Sequence, residues 1–326
     1  MTKSLQKRLV IILIIIVVYF LTRLVNLTAI PIFMDESIYI RWSQIGSQDA
    51  AWRFISLTDG KQPMFTWAMM ILFKVVNFDP LIIGRLVSVI SGFVSLIGLG
   101  FLSFLLFKNY NIAVLSMILY TVSPFTVLYD RLALYDSMVA AFFIWATYFS
   151  ILLVRYIRLD IAMILGLVIG GGILNKSSGF FSLYLLPFCL ILFDWKQKKP
   201  VSKLVLVLGL MIIVWFLSNL YYLILRLSPL FHMVALKNTV FLYTIGEWFS
   251  HPFRFLYGNL RGLFDWLIGY LTLPVFAISM AQVFNGKKYK EKLLLYTYWL
   301  LPFLALGLFA KVLYPRFILF MSMPLF

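Results

Sequence analysis

LVIILIIIVVYFLTRLVNLTA, residues 9–29, sets the class of this chain. At ~1.5 Å of helical rise per residue the run is long enough to cross a ~30 Å hydrocarbon core, and its one charge, Arg23, lies near the far end. Similar apolar runs recur near 84–107, 111–128, 136–155, 159–174, 178–194, 203–225, 264–284, 293–310 and 315–326, which gives about ten expected spans. With 63% hydrophobic residues, 12% charged and a mean hydropathy of +0.98, the chain lacks the polar surface a water-soluble protein needs. A membrane β-barrel would alternate apolar and polar residues in short segments, and no such alternation is present. The expectation is an all-α polytopic membrane protein forming a single domain over 1–326. The basic opening Lys3, Lys7 and Arg8 precedes an apolar run with no small-residue cleavage site after it, so the first helix reads as a retained signal anchor.

Charge orients the chain. With the amino terminus in the cytoplasm, 14 of the 28 Lys and Arg residues fall in the basic tail and in short turns, notably Lys196–Lys203 and Lys287–Lys292. The other face carries 13 in much longer loops, together with nine of the twelve acids. Short loops rich in Lys and Arg stay inside, so loops 30–83 and 226–263 are expected to face outward. Within the first of these, Pro63–Val76 is too short to cross and reads as an interfacial amphipathic helix. A net charge of +16 spread over helix ends fits anionic lipid headgroups rather than nucleic acid. The single cysteine, Cys189, lies in an apolar run, allows no intramolecular disulfide, and reads as a buried structural residue.

Against this background the outer acids stand out. Asp35-Glu36 follows the first span; carboxylates at a membrane surface are costly unless they pair, hydrate or react. They read either as a hydrated pair with Arg41 as partner, or as a general base accepting the proton of an attacking hydroxyl while a cation holds its neighbour. Asp59-Gly60-Lys61-Gln62-Pro63 is a turn whose lysine is either a snorkelling loop charge or a contact for the phosphate of a lipid-linked donor. In Ser123-Pro124 to Asp136, Asp130 and Arg131 can pair, and Asp136 can charge a helix start while still facing a site. Asn175-Lys176-Ser177 is a basic turn between spans. Gly170, Gly171 and Gly172 suit close helix packing, without Walker spacing. His251, with only His232 besides, forms no zinc motif.

Taken in order, these segments resemble the C-type glycosyltransferase superfamily, in its protein O-mannosyltransferase and lipid A aminoarabinose transferase branch. The likeness runs over residues 9 to 326. It is carried by Asp35-Glu36, by Lys61-Gln62-Pro63-Met64 ahead of an aromatic helix, and by Arg85 opening the next span. It continues with Ser123-Pro124 and Arg131 to Asp136, Asn175-Lys176-Ser177, His251 to Phe253, and Pro315-Arg316-Phe317. The resemblance implies transfer of a sugar from a polyprenyl-phosphate donor to a protein, lipid or glycan acceptor at the outer side of a prokaryotic plasma membrane. It makes Asp35 the base with Glu36 beside it, Asp136 the second acid, and Lys61 the contact for donor phosphate. Arg131, Lys176 and Arg316 would add to phosphate binding, with Asp59, Arg85 and His251 in support. No cofactor is implied for this branch, although other members of the superfamily use a divalent metal. Gln62 departs from the family's proline and Ser177 from its small turn residue. The chain also stops at Phe326, where family members continue, so a carboxy-terminal part of the family is expected to be missing. The competing reading is a transporter or flippase for a lipid-linked or small anionic solute, which predicts an internal repeat and charges midway through the membrane.

Overall fold

The computed structural model describes residues 3–282 and 286–326. The last residues of the expected span 264–284, and the first two of the basic opening, lie outside that set. Helix α1 (Lys3–Leu24) is followed by α2 (Met34–Gln48), two 3-10 turns and α3 (Met64–Val75). Then come α4 (Pro80–Phe107), α5 (Tyr110–Val122), α6 (Pro124–Tyr129), α7 (Tyr135–Tyr156), α8 (Leu159–Asn175), α9 (Phe180–Leu185) and α10 (Pro200–Leu223). The chain continues through α11 (His232–Phe241), α12 (Ile245–Ser250), α13 (Leu256–Leu271), α14 (Leu273–Ala281), α15 (Tyr289–Phe309) and α16 (Leu319–Ser322). Among the described residues the one β interaction is a single bridge between Leu242 and Ala310.

Among the described residues, four helical stretches pass a length-and-composition test for crossing a membrane: α4, α7, Pro200–Leu227 and α15. The pair α13–α14 adds a fifth if its two parts, bent by 106° about Thr272, count as one span. Apart from α1, a continuous 22-residue helix, the remaining expected spans are short or broken. Pro124 starts a new helix after Val122, Leu186–Leu192 tightens to 3-10 at Pro187, and 315–326 is divided by Pro315 and Pro324. Proline lacks the N–H and fixes φ, so it opens helices readily and continues them poorly.

Helix α4 is the axis. Asp79 caps its start by accepting the Leu81 N–H at 2.8 Å, with Pro80 at the first helical position, and it ends at Lys108 in the left-handed region. It packs on α5 and α7; α8 lies between α7 and α10; α2 and α3 pack on α4 from the side of the first long loop. The apolar windows of α4 and α7 are 67% buried, whereas that of α10 is 22% buried, so α10 forms part of the lipid-facing rim. Its outward residues, Leu206, Ile212, Trp215 and Phe216, are the apolar side chains a hydrocarbon solvent accepts.

One ionic node lies wholly inside. Arg23 Nε is 3.6 Å from Asp130 Oδ2, and both side chains are fully buried. Arg23 also donates to the Tyr120 carbonyl, the Thr121 carbonyl and Thr126 Oγ1, while Tyr19 and Tyr120 donate to Asp130. A side chain at Gly92 would run into Asp130 and the Tyr19 hydroxyl, so the glycine admits this node against α4. The sequence-level pairing of Asp130 with Arg131 is therefore replaced: an internal carboxylate takes the cation that is also internal, as desolvation demands.

Candidate functional site

The opening of α2 separates the two adjacent acids. Glu36, at the third helical position, accepts the Phe33 N–H at 2.9 Å with the same carboxylate that receives two parallel bonds from Arg85 Nε and Nη2, each 2.9 Å. The Ala133 N–H adds a fourth bond at 2.7 Å, and Arg85 goes on to the Leu27 carbonyl at 2.7 Å. Glu36 and Arg85 are fully buried. They tie the first long loop, α4 and the segment ahead of α7 into one corner, and Arg41, offered by the sequence as a partner, is exposed instead. Glu36 was expected beside Asp35 in catalysis; in the structure its two carboxylate oxygens are taken up by four hydrogen bonds in this corner.

Asp35 points the other way. Its Oδ2 lies 2.6 Å from Arg316 Nη1, and Tyr39 Oη, one turn along α2, donates to the same oxygen at 3.4 Å. Among the described residues nothing donates to Oδ1, and the side chain retains 21% exposure. Arg316 comes from the 3-10 turn Pro315–Ile318 after α15 and lies in the field of Asp136 as well as Asp35. Asp136, in the first turn of α7, is 2.6 Å from Lys176 Nζ, which caps the end of α8. Lys176 also sits over the Phe317 ring, 4.4 Å from its centroid.

Lys61 completes the group. The turn before it needs Gly60, whose φ of 65° is left-handed and whose missing Cβ leaves room for the Met233 carbonyl of α11. Lys61 has Lys176, Lys237, Arg316 and Asp59 as charged neighbours, yet no carboxylate within 4 Å among the described residues. Burial, and then the cations Lys176, Lys237 and Arg316, push its ammonium down to about 8. Asp59 pairs with Lys237 of α11, and both Lys61 and Lys237 lie beside the Phe241 ring, at 5.6 and 5.8 Å. The group thus gathers four cations (Lys61, Lys176, Lys237, Arg316) and three acids (Asp35, Asp59, Asp136) beside the rings of Phe241 and Phe317.

Besides Glu36 and Arg85, two expected residues lie outside this group. Arg131 donates to the Val25 and Asn26 carbonyls at 3.0 and 2.6 Å, satisfying the unpaired carbonyls after α1. It clamps the end of α1, apart from the Lys61 group. His251 is exposed at the end of α12, and its hydrogen bonds are backbone ones. Conversely, Lys237, Asn238 and Tyr39 were missed. Lys237 and Asn238 carry no motif; the one available signal was their place in the second long loop, 226–263. Gln62 and Ser177, the two departures from the family string, turn out to face each other. Gln62 Nε2 donates to Ser177 Oγ at 2.7 Å, and Ser177 donates to Asn238 Oδ1 at 3.1 Å, so the substitutions couple two turns to α11.

Among solved structures, the fold is similar to that of ArnT from Cupriavidus metallidurans. Against the form bound to undecaprenyl phosphate the TM-score is 0.68 at 15% identity, covering 97% of this chain. Against the apo form it is 0.63, also at 15% identity, over 99% of this chain. The chain spans 58% of the length of that protein in both cases. No curated protein matches the sequence. A family model, described as dolichyl-phosphate-mannose-protein mannosyltransferase, matches residues 60–222, from the Gly60 turn to the end of α10. That match takes in Lys61, Arg85, Asp136 and Lys176 across half of the sequence, and the chain belongs to this family.

Proposed function

We propose that this chain transfers a sugar from a polyprenyl-phosphate donor to an acceptor hydroxyl, on the outer side of the membrane. The observation that carries this reading is the convergence of Asp35, Asp136, Lys61, Lys176 and Arg316 in one pocket beside the amino-terminal end of α4. Family membership and an ArnT-like fold support it, as does undecaprenyl phosphate bound to ArnT itself.

In this reading Asp35 Oδ1 accepts the proton of the acceptor hydroxyl, while Arg316 and Tyr39 hold Oδ2 and so fix the carboxylate plane. The acceptor oxygen bonds to the anomeric carbon, the bond from that carbon to the phosphate oxygen breaks, and polyprenyl phosphate leaves with one more negative charge. Lys61, the cation without a carboxylate partner, meets that charge, and Lys237 stands next to it. Asp136 holds Lys176 against Phe317 and shapes the sugar side of the pocket. Collection of these charges at one end of α4, rather than midway along it, favours chemistry at the headgroup level over carriage of a solute.

The test is incubation of membranes carrying the chain with a panel of polyprenyl-phosphate sugars, followed by product analysis. Asp35→Asn is expected to reduce transfer by about 10²–10⁴-fold, the range of a general base, with normal membrane insertion. Turnover by that variant at the unsubstituted rate would remove Asp35 from the assignment.

A further inference from the structure

The three lysines of the group share a pattern that their distance along the chain conceals. Each is followed directly by a polar, uncharged residue: Lys61-Gln62, Lys176-Ser177 and Lys237-Asn238. The three followers meet. Gln62 Nε2 donates to Ser177 Oγ at 2.7 Å across 115 residues of chain, and Ser177 Oγ donates to Asn238 Oδ1 at 3.1 Å across another 61. One hydroxyl accepts on one side and donates on the other, a double duty that threonine can perform and alanine cannot. Gln62 is buried, so its bond is made away from water, where such bonds count for more.

Both turns and α11 are also seated by backbone. A side chain on Gly60 would run into the Met233 carbonyl and Lys237 Cβ, so α11 lies directly against the Lys61 turn. The Lys176 N–H is bound to the Gly172 carbonyl at 3.1 Å, and a side chain on Gly179 would run into the backbone of Gly172 and Ile173. The Lys176 turn is thereby fixed to α8. Against this seating works the mutual repulsion of three ammonium groups. Lys176 has Asp136 and Lys237 has Asp59 as ion-pair partners. The second pair is partly exposed and screened by water, so it restrains its turn weakly. Hydrogen bonds one residue beyond each lysine hold the backbones together without neutralising any charge.

We propose that Gln62, Ser177 and Asn238 form a clasp that positions Lys61, Lys176 and Lys237 as one preformed site for a phosphate group. The three are positioning residues, and the proposal rests on the reading of Lys61 as the contact for donor phosphate. Where the family string has proline, which stiffens a single turn, Gln62 ties that turn to two other segments. Cations gathered before the ligand arrives need no rearrangement to meet its charge, which is the condition under which they stabilise it best.

The test pairs two readouts on the detergent-purified chain, neither of which uses a sugar donor. The first is the pH dependence of Lys61 acetylation by trace acetic anhydride, read by peptide mass spectrometry; the partly exposed Lys61 amine reacts only when unprotonated. The second is the affinity for undecaprenyl phosphate. Burial and the neighbouring cations hold the Lys61 midpoint at about 8. In Ser177→Ala burial persists but the cations spread, so the midpoint should rise by about half a pH unit or more. Affinity at pH 7 should nevertheless fall about tenfold, since the ammonium groups no longer converge. A more fully protonated lysine with weaker phosphate binding is the signature of lost positioning. Ser177→Thr should restore both values, and Asn238→Ala, which cuts the α11 end alone, should move both the same way by less. An unmoved midpoint in both alanine variants overturns the proposal, as does unchanged affinity, or a Ser177→Thr chain that behaves like Ser177→Ala. A chain that transfers no sugar can still show the clasp, and a failed clasp leaves the transfer assay untouched.

Discussion

Leaving α2 about 100° apart, as consecutive helical residues do, the carboxylates of Asp35 and Glu36 enter different surroundings. Glu36 meets Arg85 and two backbone N–H groups in a dry corner; Asp35 meets Arg316 in a wet one. Removing the charge of Glu36 leaves Arg85 buried without its counter-ion, so Glu36→Gln is expected to cost about 3–5 kcal/mol. The check is the loss of midpoint in detergent, which Asp35→Asn should not share. Lys61 gives a different signature. Its ammonium is charged below about 8 and neutral above, so in the unliganded pocket its attraction for a phosphate is full at pH 7 and fades as pH rises through 8. The ratio kcat/KM for donor should fall across that window. Lys61→Arg, whose guanidinium stays protonated, should keep it level, and a flat profile for the unsubstituted chain would contradict the assignment. The acids at 35 and 136 and the lysines at 61 and 176 were legible in the sequence because ionisable residues are scarce there. What each one pairs with was not. Arg85 and Arg316 lie far along the chain from their carboxylates, and sequence separation carries no distance.

At the level of elements, α11 straps the Lys61 turn through Lys237, Asn238 and the Met233 carbonyl, which fills the space Gly60 leaves. Gly60→Ala combines a left-handed φ with a clash against backbone. It should destabilise the turn by about 1–2 kcal/mol and raise the donor KM while kcat falls less. The Gln62–Ser177 bond allows a sharper measurement. A double-mutant cycle of Gln62→Ala and Ser177→Ala should return a coupling of about 0.5–1.5 kcal/mol, whereas additive losses would mean that the two turns act separately. Helices such as α4, α7 and α10 could be read from apolar runs because lipid selects composition. The breaks at Val122, Leu186 and Thr272 were less visible, since a run interrupted by proline has the same average hydropathy as one that is not.

Across the whole molecule, nine of the twelve acids and the site lysines fall in one set of loops, while the short turns 196–203 and 287–292 are rich in lysine. A membrane-impermeant thiol reagent should therefore label Arg53→Cys in sealed cells and Lys198→Cys after permeabilisation alone. Both positions are exposed, and Cys189, fully buried, should stay silent. Labelling of both from outside would undo the assignment of faces. Charge counts give an expectation of sidedness that this labelling tests, whereas the convergence of both long loops on one group of charges needed three dimensions.

The internal Arg23–Asp130 node bears on how the chain is made. Tyr19 and Asp130 stand 111 residues apart, and at about 5–20 residues per second a ribosome needs roughly 5–20 s to reach the second from the first. Throughout that interval the first hydrophobic segment has emerged while its arginine lacks a counter-ion. The guanidinium must stay near the polar boundary or within the insertion machinery until α6 is delivered. Seating of the earliest helix is therefore a late step in biogenesis, and nascent chains arrested before position 130 should leave that segment open to crosslinking by lipid or translocon.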